Sequence, residues 1–447
     1  MKRTAFQWLA ISSLLATFAL AAHARTRPRY GGSLRVETGA QLWSPDGIAR
    51  ALTVETLTHV DELGRVQPWL AIKWDSQNHD KRWLVTIRPG IKMHDGTALT
   101  GATVSEILNG CAGCPWRSAQ AYGDTVVFEF DTATPLFPAQ LATARYGVTR
   151  TGSNGAPIGT GPMYVQEATP RSATLAAFDK YWNGRVFLDS VQITAGRSGR
   201  DQWLDLGVGR ADVAEVSTVQ IKRVQQDRLR VLTSRDDELI VLVINSVSPA
   251  MQNGTVRQAI AESLDRASLL NVIFQKQGEF TGSLLPNWMT GYGPLFSTSQ
   301  NLPHARELRS QAGQIPQLTL TYDASDPALQ LVAERIALST RDAGIFVRTT
   351  PAPAHWDITL ARIRLDSFHP SVALEDLLGT LGLEHKAPDD TTTEALYQRE
   401  REILNPGYLV PLLYLPHAFA AGDRVRNWRL NDGGLPAFPD IWMEVRR

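Results

Sequence analysis

Residues 239–244 read Leu-Ile-Val-Leu-Val-Ile, six aliphatic side chains without a polar interruption, and Asn245 closes the run. So short an apolar stretch, rich in branched residues, predicts a strand buried on both faces. Downstream, residues 318–322 suit a strand, 329–343 an amphipathic helix and 345–349 a second strand. In that helix Leu331, Ile336 and Leu338 alternate with Glu334, Arg335, Arg341 and Asp342, and Gly344 supplies a C-terminal stop. A strand, a helix and a strand in succession predict an α/β lobe with parallel strands.

The first part of the chain carries its own strand signals. Residues 33–37, 83–87, 125–130 and 163–167 have the alternation or β-branched content of strands. Helices are expected over 49–57, over 100–109 with Thr100 as N-cap, and over 255–265, where Val256, Ala259, Ile260, Ser263 and Leu264 share a face. Asp95-Gly96 marks a turn, because glycine accepts positive φ and Asp bonds its own following backbone. His94 beside it reads as structural rather than as a metal ligand. Glycines 155, 159 and 161 form a loop, not a phosphate cradle, since no G-x-x-x-x-G-K-[ST] follows. Residues 384–393, polar and containing a proline, are the expected exposed loop.

Lys2 and Arg3 precede a mostly apolar stretch over 5–21, and Ala22-His23-Ala24 places small residues at the positions a signal peptidase reads. Residues 1–24 therefore read as a cleavable signal, too short and too interrupted by Gln7, Ser12 and Ser13 to span a bilayer. No cysteine lies near the cleavage site, so a freely diffusing periplasmic protein is expected rather than a lipoprotein. The 45 basic and 45 acidic side chains balance, which argues against a nucleic-acid binder or a polybasic membrane-surface protein. Cys111 and Cys114, the only cysteines, are expected to form a local disulfide in an exported chain. No metal or cofactor set is legible: there is no H-E-x-x-H, no G-x-S-x-G and no second ligand pair beside the cysteines.

Six short signatures follow one another in fixed order: Tyr30-Gly31-Gly32, Pro68-Trp69-Leu70-Ala71, His94-Asp95-Gly96-Thr97, Gly159-Thr160-Gly161-Pro162, Tyr181-Trp182 and Val256-Arg257-Gln258-Ala259. Together they resemble the extracellular solute-binding proteins of family 5, the receptors of oligopeptide and dipeptide ABC importers. The resemblance implies a two-lobed α/β periplasmic binding protein fold, type II and peptide-binding-like, with a ligand cleft between lobes. It divides the chain into lobe I (25–48 and 153–236), a smaller accessory subdomain (49–152), lobe II (237–409) and a return to lobe I (410–447). It also implies a monomer that delivers its cargo to membrane permease subunits, without catalysis.

For a peptide, a fixed acid near one end of the cleft meets the ammonium whatever the side chains are. In peptide-binding relatives an Asp after a buried strand does this, nine residues beyond an earlier Asp and four before a Pro. Asp357, Asp366 and Pro370 match that spacing, so Asp366 is the implied ligand contact. Ile363 stands where the pattern has Trp, and His369 where it has an acid. Arg362 and Arg364 flank the segment and could fork onto a ligand carboxylate; Trp43 could stack on a ligand. Residues 110–122 are shorter than in typical peptide receptors, which suits a more open cleft or a smaller ligand. Rival ligands within the fold are a nickel chelate, an oligosaccharide or an opine. Outside it stand a chaperone-like or sensory binder and a redox role for the cysteine pair.

Overall fold

The computed structural model describes residues 28–44, 47–111, 113–153, 155–227, 229–351, 353–383, 392–431 and 433–444. The expected signal segment and residues 384–391 of the expected loop lie outside them. Thr392 caps the helix that follows, accepting from Ala395 N.

Strand β1 (Ser33–Glu37) forms as its alternation demands, with Leu34 and Val36 buried. The next helix, Ile48–Thr53, is shorter than expected. It stops because β-branched Val54 turns extended and Glu55 bridges to Val148. An antiparallel sheet follows, ordered β2 (Ala71–Gln77), β3 (Arg82–Ile87), β5 (Thr125–Glu129), β4 (Ser118–Tyr122), with α1 (Gly101–Asn109) inserted before β4. Thr100 caps α1 by accepting from Thr103 N at 3.3 Å, and the Thr103 hydroxyl turns to Ala98 O. Cys111 and Cys114 are joined as a disulfide just past its end.

The remaining strands make one continuous sheet. Its first half is β6 (Met163–Ala168), β7 (Ser172–Ala177), β8 (Ser190–Thr194), β1 and β9 (Val213–Glu215), with β1 parallel to both neighbours. Two long strands join this half to the second: β10 (Arg230–Ile244) and β14 (Leu409–Ala421). The second half adds β11 (Leu318–Tyr322), β12 (Val347–Thr349) and β13 (Ile358–Arg364), in the order β14-β10-β13-β11-β12. Helices α2 (Gly254–Ser263) and α3 (Pro327–Asp342) cover one face of that half, and α4 (Pro370–Thr380) and α5 (Thr393–Leu404) the other. This sandwiching explains why residues 239–242 have no exposed surface at all. The β11-α3-β12 unit is parallel, as the pattern predicts.

Two elements depart from their sequence reading. β10 begins nine residues before its apolar run, because its polar first half pairs with β14 although it lacks hydrophobic signal. α2 ends at Ser263 rather than 265, because Asp265 instead caps the next helical segment by accepting from Ser268 N at 2.9 Å. The β10–β14 ladder shifts register between Thr233 and Asp236 and again between Asp236 and Glu238, opposite Pro416. Proline gives no ladder hydrogen bond and a bulge bends a strand, so the crossing between lobes is placed where pairing is weakest.

Two glycines and a carboxylate lock the accessory sheet to the first lobe. A Cβ on Gly159 would lie 2.1 Å from Thr53 O and one on Gly161 2.5 Å from Leu52 O, so only glycine permits this approach. His94 reaches the same loop through Nε2 to Gly161 O at 3.0 Å, a structural role. Glu55 is buried and accepts from Trp69 Nε1 at 2.9 Å, Tyr181 OH at 2.7 Å and Trp182 Nε1 at 3.0 Å. The Tyr181-Trp182 signature is thus an aromatic plug anchored on one acid.

Candidate functional site in the interlobe cleft

Between the accessory sheet and the second lobe lies a cavity of about 180 Å³. One wall is the chain leaving β13: Arg364, Asp366, Ser367 and Phe368. The other includes His59, Ala142 and Ala144, with Gly433 and Leu435 closing an end. β13 must end here because Leu365 N still pairs with Asp237 O while Pro370 begins α4. Asp366 falls in this short connection and is exposed, so its carboxylate belongs to the cavity wall.

Behind that wall lies a buried acid whose carboxyl is strongly perturbed. On α4, Glu375 and Asp376 lie one to three turns beyond Asp366. Burial raises the Asp376 carboxyl to about 7, reinforced by the charges of Asp366 and Glu375 and opposed by Arg145. Glu375 is buried and accepts from Gln140 Nε2 at 3.0 Å across the cleft. Arg364 lines the cavity, but its guanidinium donates to Gly433 O at 2.7 Å and lies 3.6 Å from buried Asp237. The Asp376 carboxyl thus lies in the field of two carboxylates, Asp366 and Glu375, against one cation, Arg145, and a positive group arriving there would ease it.

An aromatic platform stands where sequence reasoning expected none. Ile363, at the position of the family's Trp, is buried in the core under α4. Phe368 takes the cavity wall instead, edge-to-face with Trp288 at 5.3 Å, and Arg235 lies over the Trp288 ring at 5.1 Å. Arg235 also reaches Glu62, donating to its carbonyl at 3.1 Å and its carboxylate at 3.2 Å. Leu136, Ala139 and Val372 pack together across the same gap with Val66. Gly64 (φ +78°) lies so near Phe368 that a Cβ there would be 3.0 Å from its carbonyl. These contacts hold the cleft closed.

The other residues named from sequence are placed differently. Arg362 is not in the wall. Its side chain, on the face of β13 that carries Ile358 and Leu360, pairs with buried Glu238 and with Asp326 at 3.1 Å, and reaches Thr218 Oγ1 at 3.2 Å. That replaces the expected ligand contact: a guanidinium already forked onto two carboxylates has no fork left for a third. Trp43 packs against the core of the first lobe, beneath the helix Ile48–Thr53. His369 caps the position before α4; its Nδ1 is buried without a hydrogen-bond partner among the described residues, and burial lowers its pKa. The sequence signal that was missed is Glu375-Asp376, two adjacent acids inside the apolar stretch Ser371–Leu378.

Glu238 connects Arg362 to the interlobe crossing. His417 on β14 bridges it at 3.1 Å to Glu215 of β9 at 3.3 Å. Burial would raise the Glu238 carboxyl, but Arg362 and His417 bring it down to about 2. Burial would likewise lower His417, and Glu238 and Glu215 hold it above its ordinary value instead. No helix among the described residues is long and apolar enough to cross a membrane, and no cluster of three or more His, Cys, Asp or Glu among them could hold a metal ion.

Two α/β halves on one sheet, crossed by two strands and with a cavity between them that Asp366 and Arg364 line, define a two-lobed solute-binding protein. The profile described as bacterial extracellular solute-binding proteins, family 5 Middle, matches residues 65–379, and the chain belongs to that family. Among curated relatives, the nickel-binding protein NikA of Staphylococcus aureus is 23% identical over 313 residues, 65% of this chain and 63% of its own length. The peptide transport periplasmic protein SapA of Salmonella typhimurium is 25% identical over 241 residues, 50% of this chain and 44% of its own. The chain therefore spans about half to two-thirds of the length of these relatives. The oligopeptide-binding protein AppA of Bacillus subtilis, solved with a nonapeptide, shares the fold with a TM-score of 0.79 at 18% identity, covering 94% of this chain and 100% of that one.

Proposed function

We propose that the chain is the exported, freely diffusing receptor of an ABC importer. It captures a short peptide or a similar zwitterionic solute between its lobes and passes it to the permease in the inner membrane, with no covalent chemistry. The observation that carries the reading is Asp366 in the cavity wall, with the raised Asp376 carboxyl close enough to feel its charge. An ammonium group entering there meets Asp366 and offsets the negative charge that adds to burial in raising Asp376, so binding energy comes from charge rather than from side-chain identity.

The cavity is smaller than the roughly 300–1,000 Å³ of most small-molecule sites. It fits the amino end of a ligand, and a longer peptide requires the lobes to part at the bulged crossing of β10 and β14. Glu62–Arg235 and Gln140–Glu375 are then the contacts that remake on closure, which is the form a permease would read. SapA, named for peptide transport, and AppA, named for oligopeptide binding, support this cargo class. NikA keeps a metal chelate in view as the rival cargo.

Native mass spectrometry of protein purified from periplasm tests the reading. A ladder of short peptide masses released on mild denaturation, lost in Asp366→Asn, is the expected result. A single non-peptide mass that survives Asp366→Asn would overturn it.

A further inference from the structure

The second lobe holds a larger cavity, about 570 Å³, apart from the cleft. It is bounded by α2, by the loop through 296–301 and by residues 404–411, which lead into β14. Pro411 precedes Pro416, at the interlobe crossing, by five residues of extended strand, about 17 Å. The two cavities share no lining residue.

Its floor carries Arg266, which is buried. The guanidinium donates to Pro411 O through Nε at 3.2 Å and Nη2 at 3.0 Å. Among the described residues no carboxylate forms an ion pair with it. Burial lowers its pKa only to about 10, so it remains charged at neutral pH. A buried cation that meets a single carbonyl lacks the counter-charge such groups ordinarily keep.

The neighbouring charges do not supply that counter-charge. Glu262 lines the cavity but is engaged by Gln258 Nε2 at 2.9 Å and by His304 Nδ1. Arg257 adds a second positive charge, stacked over Tyr408 at 4.1 Å and donating to Pro406 O and Met251 O. Part of the wall is apolar, from Ala261, Phe296, Leu404, Leu409 and Val410, and polar side chains such as Ser299 and Asn301 complete it. The volume lies within the range of small-molecule sites.

We propose that this cavity is a second ligand site, for a monocarboxylate with a hydrocarbon body. The carboxylate completes the coordination of Arg266, and the body lies on Phe296, Leu404 and Val410. This site is separate from the cleft and does not depend on what the cleft carries.

Titration calorimetry with octanoate and its uncharged isostere octanamide tests it, on the full chain. Octanoate is expected to bind at least tenfold more tightly than octanamide. Arg266→Gln is expected to abolish that difference. Ser299→Trp, at the exposed rim, is expected to block octanoate while leaving Arg266 and the fold in place, so the test holds even if Arg266→Gln fails to fold. Equal affinity for the two probes, no octanoate binding at millimolar concentration, or undiminished binding in Ser299→Trp would each overturn the proposal.

Discussion

Arg362→Met separates a structural from a ligand-binding role for the one arginine whose sequence position suggested the latter. The side chain is 21% exposed and its partner Glu238 10%, and Asp326 shares the guanidinium at 3.1 Å. Removing one member of a buried pair costs about 3–5 kcal/mol, because the other charge is left desolvated and uncompensated. His417 stays beside Glu238 at 3.1 Å and Arg362 keeps some solvent, so the lower end, about 3 kcal/mol, is expected. For a unit of roughly 150–250 residues each kcal/mol moves Tm by about 2–4 °C, which places the shift near 9 °C. Acid unfolding changes too. The Glu238 carboxyl, held at about 2, contributes stability that is present above its unfolded value and lost as pH falls toward 2. Without Arg362 that depression shrinks and the acid limb flattens. Calorimetric melting at pH 7 and across pH 2–6 reads both, and adding Glu238→Gln is expected to recover part of the loss, giving a coupling above about 1 kcal/mol. A Tm drop under about 3 °C together with a loss of ligand affinity would refute the reasoning and return Arg362 to the cleft.

Glu55→Ala is expected to cost about 3 kcal/mol in urea unfolding, since Trp69, Tyr181 and Trp182 lose their common acceptor, and Glu55→Gln about half of that. Asp376→Asn tests the strained carboxyl. Its folded pKa, raised to about 7, contributes stability that is full below the unfolded value near 3.9 and lost as pH rises through 7. The variant is therefore expected to match the parent near pH 4 and exceed it by roughly 4 kcal/mol at pH 8, and a constant difference across that range would contradict the account. Cys114→Ser opens a loop of only four residues, so melting should fall by no more than about 2 kcal/mol equivalent, with ligand affinity unchanged.

The parts of the fold that depend on periodicity were legible. Residues 239–244 announced a strand covered on both faces, and the 318–349 segment announced a parallel β-α-β unit, because burial is written directly into side-chain type. The first half of β10 was not legible, since its residues pair across the interlobe crossing while carrying Ser, Arg, Asp and Glu. Asp366 was singled out by its match to the family pattern of Asp357, Asp366 and Pro370, and it lies in the cavity wall. What surrounds it was not legible, because the opposing wall comes from residues more than 200 positions earlier, and no local pattern links His59 or Ala144 to a loop after β13. Arg362 and Arg364 look alike in sequence, two residues apart on one face of a strand. Only three-dimensional partners separate them: Glu238 and Asp326 for the first, Asp237 and the Gly433 carbonyl for the second.

The central claim is that the cleft recognises a ligand through its ammonium. Calorimetric titration with tri-alanine and with N-acetyl-tri-alanine, identical but for that charge, tests it most directly. Free tri-alanine binding at least tenfold more tightly, with the difference abolished in Asp366→Asn, is the predicted result. Equal affinity for the two, or preference for the acetylated form, would contradict the claim and give the cleft to a ligand of another charge.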